Sequence, residues 1–290
     1  MKYASIDRCR FDYPIRLMCR CLKVSASGYY DWRSRRPSRR ACENQQLLTR
    51  MRDLHRESGG ALGSPRMRED LLAEGFRCGR HRVARLMRAD GLRGAPPARA
   101  WRGKPSGDRP IGIENVLARE FTADEPNRKW VTDITYVRTL EGWLFLCVVL
   151  DLFSKKVVGW SMSSRQSREL VIRALMSALW QREEGREVIV HSDRGTQFTS
   201  EDYQRFLAAH DLRCSMSRVG SCADNAAAEG FFGLLKRDRI HRRRYATRRE
   251  ARADVFDYIE RFHNPRMKRR LDRQDQQTDV LNSTVRVAGG

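Results

Sequence analysis

Trp143-Leu144-Phe145-Leu146-Cys147-Val148-Val149-Leu150 is a run of eight apolar residues. A run of that length is the mark of a strand buried on both faces. Just before it, Trp130 to Arg138 alternates in polarity and is rich in β-branched and aromatic residues, the pattern of a second strand. Just after it, Lys156 to Met162 reads as a third. The connections are short, so the three strands are expected to be hairpin-linked. Further on, helices and strands alternate: helix 167–183, strand 187–192, helix 200–210, strand 212–216, helix 224–240 and helix 247–262. The pattern predicts an α/β domain with a mixed five-stranded sheet and helices packed on it.

The N-terminal third reads differently. Residues 13–33 suggest two short helices with Ile15, Leu17, Met18 and Leu22 on one face, followed by a basic run, Arg33 to Arg40 with Pro37. Residues 43–92 suggest three more helices. The second begins at Ser64-Pro65, an N-cap with proline behind it. The third sets Val83, Leu86 and Met87 against Arg80, His81, Arg82, Arg85 and Arg88. Short helix, turn, basic helix is the pattern of a helix-turn-helix, whose second helix enters the major groove. The alternative is a basic three-helix bundle that reads no sequence. Pro96, Pro97, Pro105 and Pro110 mark a linker. The organisation expected is a helical DNA-binding segment and linker (1–40), a helix-turn-helix domain (41–95), a linker (96–122), a catalytic core (123–240) and a basic C-terminal helix and tail (241–290).

The chain has 290 residues and a formal charge of +21, almost all of its positive charge arginine. The excess is divided: residues 1–110 carry +15, residues 111–235 carry −2 and residues 236–290 carry +8. Two basic arms around a near-neutral core point to a polyanionic partner, double-stranded DNA being the reading adopted. No apolar stretch reaches the roughly 20 residues needed to span a bilayer, and Arg8, Arg10 and Arg16 interrupt any signal core. The eight cysteines are scattered and have no zinc-ligand spacing. The expectation is a cytoplasmic protein with reduced thiols and no membrane partner.

Three acids stand where acids are expensive. Asp133 lies within a strand, on the face of Val131, Thr135 and Val137. Asp193 ends another in His191-Ser192-Asp193-Arg194-Gly195, and Glu229 lies on the helix from Asp224. A carboxylate inside a strand needs a counter-charge. Mg²⁺ prefers such ligands, and two ions about 3.5–4 Å apart suit in-line phosphoryl displacement. Singly, each acid has a plainer reading: a turn residue for Asp193, a solvated helix position for Glu229.

Residues 127–240 closely resemble the catalytic core of OrfB-type transposases of the IS3 family of bacterial insertion sequences. The matching text includes Trp130-Val131-Thr132-Asp133-Ile134-Thr135-Tyr136, Glu141-Gly142-Trp143-Leu144, Asp151-Leu152-Phe153-Ser154, Val157-Val158-Gly159-Trp160, His191-Ser192-Asp193-Arg194-Gly195, Asp224-Asn225-Ala226 and Phe231-Phe232-Gly233-Leu234-Leu235-Lys236. The 35 residues between Asp193 and Glu229 are the family's own spacing. A looser match covers residues 20–100.

The resemblance implies a ribonuclease-H/retroviral-integrase fold with helices on both faces of the sheet. It implies a DDE triad of Asp133, Asp193 and Glu229 holding two Mg²⁺, with Mn²⁺ a substitute, and cleavage at element ends followed by strand transfer. It also implies OrfA as partner or fusion, a homo-oligomer on DNA and a nucleoid location. Lys236, two turns after Glu229, would contact terminal DNA or be an ordinary helix-end cation. Asn225 would touch DNA, order the site or simply start the helix. His191 is packed or catalytic, and Asp151 caps the turn at Ser154. Arg80, Arg82, Arg85 and Arg88 are the expected DNA contacts of the helix-turn-helix. Two departures stand out: Ala223 replaces a common Trp, and Phe262-His263-Asn264-Pro265-Arg266 replaces the usual tail. The rival readings are a DNA-binding protein with a decayed core or inhibitory role, and a ribonuclease-H-type nuclease.

Overall fold

The computed structural model describes residues 2–96, 117, 122–182, 187–193, 195–217 and 225–275. The expected linker at 96–122 lies largely outside the described residues, as do Ala223 and Asp224. The chain divides into two compact units, Met1–Thr49 and Arg50–Gly290.

The first unit holds α1 (Lys2–Arg8), α2 (Ile15–Cys21), α3 (Ala26–Ser34) and the start of α4 (Arg39–Glu57). Ile6, Cys19 and Tyr29 form its small core, with Tyr3, Ile15 and Met18 against it. The Ser25 side chain caps α3 by accepting from the Gly28 N–H at 3.1 Å. Tyr29 donates to Asp7 at 2.8 Å. Helix α1 was not anticipated: Ile6 is its only buried residue, so no apolar repeat announces it. The basic run is also shorter as a connection than read, because α4 begins at Arg39 and continues unbroken to Glu57.

In the second unit, α5 (Ser64–Ala73) and α6 (Arg80–Ala89) follow α4. Ser64 is the first helical residue rather than the cap; Gly63 holds that position, with no side-chain bond. Gly75, at φ 87°, turns the chain out of α5, a conformation that suits glycine. Val83 and Met87 point inward from α6. Arg50 of α4 grips Glu74 through two bonds of 2.6 Å, and Arg52 grips Asp90 at 2.8 Å.

The sheet comprises β1 (Lys129–Thr139), β2 (Gly142–Asp151), β3 (Val157–Ser163), β4 (Val188–Ser192) and β5 (Leu212–Met216). Its order is β3-β2-β1-β4-β5. β1, β2 and β3 pair antiparallel, while β4 joins β1 and β5 in parallel, so the sheet is mixed as expected. β2 is buried throughout from Leu146 to Asp151, which explains most of its apolar run; Trp143, at the start of the run, is exposed. One face packs Trp130, Cys147, Val149 and Val190 against α7 (Arg168–Leu179) and α8 (Glu201–Ala209). Gly159 permits that packing, since a Cβ there would run into the Ala174 carbonyl oxygen and Ala178. On the other face Val137 and Leu144 meet Tyr245 and Ala251. That side carries α10 (Arg248–Phe256), and α9 (Ala226–Asp238) packs against β1 and β2.

The C-terminal helix is longer and less regular than read. α10 passes into a π-helical stretch, Asp257–His263, and then into α-helix over residues 264–275. Pro265 gives the physical reason: it has no N–H to donate to the carbonyl four residues back and its ring would clash with that carbonyl, and widening the preceding turn relieves the clash. Asn264 both accepts from the Val157 N–H and donates to the Val157 carbonyl, each at 2.9 Å, completing the outer edge of β3.

Candidate active site

Strands β1 and β4 place the two aspartates. Their parallel pairing runs from Lys129↔Ile189 to Val131↔His191. Asp133 and Asp193 each lie two residues beyond that last pair, in the same register, Asp133 in the middle of β1 and Asp193 one residue past the end of β4. Adjacent strands stand about 4.8 Å apart. The pairing of the two strands stops there, and α9 packs against β1. Glu229 and Lys236 project from this helix.

Asp133 lies within electrostatic reach of both Asp193 and Glu229. Burial pushes its pKa up to about 7, and the neighbouring charges of Asp193 and Glu229 push the same way. The Ile134 N–H, 2.7 Å from Oδ1, and the Lys236 ammonium oppose the shift. Burial also raises Asp193, against the Gly195 N–H at 3.0 Å, and it raises Glu229. Burial lowers Lys236, with Asp133 opposing. The Lys236 ammonium lies 5.1 Å from the centroid of the Tyr136 ring.

Among the described residues no three His, Cys, Asp or Glu side chains are already gathered closely enough to hold an ion. The local bonds explain this. One oxygen of Asp133 is turned to its own strand's N–H, one of Asp193 to Gly195, and Glu229 is exposed. The donor set nevertheless suits a hard divalent cation: all three groups are carboxylates, and Asp133 is under repulsion that a bound cation would relieve.

Asn225 is 4% exposed and precedes α9. It makes no cap bond; instead its amide donates to the Thr132 carbonyl at 3.4 Å. This burial fits an ordering role beside Asp133 rather than a surface contact. His191 is buried between Ser215, 2.9 Å from Nδ1, and Ser217, 3.1 Å from Nε2, which ties β4 to β5. Asp151 caps the turn at Ser154, as read, accepting from its N–H at 2.9 Å and its hydroxyl at 2.6 Å. In α6, Arg80, Arg85 and Arg88 are exposed and Arg82 is half-buried.

Sequence reasoning passed over Tyr136 and Asp238. Tyr136 carried a signal, the outward step of an alternating strand beside Asp133. Asp238 carried none: its burial beneath Arg66, at 2.8 Å, depends on a partner 172 residues away.

Residues 123–222 and 229–277 match models described as Integrase core domain. Residues 43–100 match an HTH-like domain. The chain is 43% identical over 274 residues to the transposase InsF for insertion sequence IS3A of Escherichia coli K12, covering 91% of this chain and 92% of that protein. It is 36% identical over 248 residues to an uncharacterized 31 kDa protein of insertion element IS600 from Shigella sonnei, covering 85% and 91%. Among solved structures, the HTLV-2 integrase catalytic core domain in complex with magnesium aligns at 23% identity and a TM-score of 0.32, over 38% of this chain and 68% of that one. With an integrase-type core, a helix-turn-helix-like segment and this similarity over nearly its whole length, the chain belongs to the IS3 family of insertion-sequence transposases.

Proposed function

We infer that this transposase cuts DNA at the ends of its insertion sequence and joins the freed end to a target, with Asp133, Asp193 and Glu229 as the catalytic carboxylates. The observation that carries the reading is the shared register of Asp133 and Asp193 past the Val131↔His191 pair, with Glu229 acting on the same Asp133 carboxyl. These three residues would hold two Mg²⁺, Mn²⁺ serving as substitute. Bound there, the ions would supply positive charge that acidifies the attacking hydroxyl and stabilises the leaving oxygen.

In the first step a water oxygen bonds to phosphorus, the bond to the 3′ oxygen breaks, and a 3′-OH is freed. In the second that hydroxyl attacks a target phosphodiester, and one oxygen leaves as another arrives. Neither step needs a covalent enzyme intermediate. Lys236, beside Asp133, would meet the terminal phosphates. Asn225 positions the strand carrying Asp133. Arg80, Arg82, Arg85 and Arg88 would neutralise duplex phosphates, a salt-sensitive contribution. OrfA, as partner or fusion, and a homo-oligomer on nucleoid DNA complete the reading. No helix among the described residues is long and apolar enough to cross a membrane.

The test is incubation with a labelled element-end duplex and Mg²⁺ or Mn²⁺, with and without OrfA, beside Asp193→Asn. The reading expects a nick bearing a 3′-OH and joined products from the wild type alone. Binding without any nick, even with OrfA, would favour the decayed-core reading. Preferential cutting of RNA–DNA hybrids would favour a ribonuclease.

A further inference from the structure

On the face of the sheet opposite Asp133, β1 and β2 present an aromatic surface. Tyr136 is 53% exposed and Trp143 is 47% exposed. Their rings meet edge to face, with centroids 5.1 Å apart and planes at 83°. Arg138 lies directly across from Trp143 in the strand pairing, so it shares their side of the sheet. The Lys236 ammonium, 5.1 Å from the Tyr136 ring, joins this surface to Asp133. Tyr136 is three residues, about 10 Å of strand, from Asp133, so the two side chains leave opposite faces of β1 and Lys236 is the group that reaches both.

Exposing two large rings forgoes burial of apolar area, and among the described residues neither ring belongs to a core cluster. We propose that Tyr136 and Trp143 form a stacking platform for unpaired bases at the terminus of the DNA that enters the carboxylate site. The surrounding charge selects this occupant. Aromatic faces interleaved with Arg138 and Lys236 suit a single strand, whose bases stack while its phosphates are neutralised. An apolar protein partner would have to desolvate both cations. The platform would capture frayed nucleotides and keep the end open while the scissile phosphate lies at Asp133. It rests on the reading of the site as a DNA-cleaving centre.

The test compares the full chain's affinity for a blunt duplex and for the same duplex with a short single-stranded tail containing 2-aminopurine, without divalent metal. Stacking predicts roughly tenfold tighter binding of the tailed duplex and quenched 2-aminopurine emission. Tyr136→Ala and Trp143→Ala should bring the ratio of affinities toward one and restore emission, while Tyr136→Phe keeps both effects. Equal affinity for the two duplexes, or preference and quenching that survive both alanine variants, would overturn the platform. Tail preference in a protein that never cuts with Mg²⁺ would uphold the platform and sink the nuclease reading. Cutting without tail preference would do the reverse.

Discussion

Asp133 and Asp193 each stand two residues past the final pair, Val131↔His191, of two parallel strands. The strand register alone therefore brings together two carboxylates sixty positions apart in the chain. Burial first, and then repulsion from the like charge of Asp193, raise the pKa of Asp133 to about 7. The sheet thus holds an arrangement that is costly until a cation or a proton arrives.

The helix carrying Glu229 and Lys236 is anchored at its far end. Arg66 of α5 holds Asp238 through bonds of 3.1 and 2.8 Å, and Tyr258 donates to the same carboxylate at 3.3 Å. Breaking a buried pair leaves one charge uncompensated, so Arg66→Met should cost about 3 kcal/mol. Arg66→Met with Asp238→Leu should recover most of it. Denaturant unfolding of the single and double variants measures both.

Gly159 lies under α7 with no room for a side chain. Gly159→Ala would push the helix off β3 and should destabilise the core by about 1–3 kcal/mol. Urea titration followed by circular dichroism would show a lower midpoint at unchanged slope.

His263 is buried, and burial together with Arg266 and Arg66 lowers its pKa to about 4, against a bond to the Lys155 carbonyl at 3.0 Å. An unfolded histidine titrates near 6.5. Between about 4 and 6.5 the unfolded chain therefore binds the extra proton. The contribution of the neutral ring is complete above 6.5 and is lost as pH falls toward 4. It amounts to about 3 kcal/mol. Stability curves at several pH values should show this loss in the wild type and a smaller one in His263→Gln.

Arg85 and Arg88 are exposed on α6. If both meet phosphates, replacing the two with Ala should reduce the slope of log affinity against log salt by about two. Fluorescence anisotropy across a salt series reads it. An unchanged slope would remove α6 from the DNA interface.

Much of the fold was legible because the strands announce themselves. The apolar run 143–150 is a strand with neighbours on both sides and helices on both faces, and Asp133 stands out as a charge within such a pattern. What stayed hidden depends on distant partners or on small local costs. α1 buries one side chain. The π-helical stretch answers to Pro265, three residues past the expected end of the helix at Phe262. Asn225 does stand at the start of α9, and the bond from its amide to the Thr132 carbonyl 93 residues back is what the sequence could not show. The divergent tail has a structural account as well: Asn264 completes β3, and Arg266 pairs with Asp70 at 2.5 Å.

The central claim is that Asp133, Asp193 and Glu229 act together on a divalent cation. Titrating the full chain with Mn²⁺, with free ion followed by electron paramagnetic resonance and cleavage of the end duplex measured in the same samples, tests it most directly. The account predicts saturable binding and cutting in the wild type. It predicts that Asp133→Asn and Asp193→Asn each weaken binding at least tenfold and abolish the cut, with Glu229→Gln also losing the cut. Wild-type affinity and cutting in either aspartate variant would contradict it.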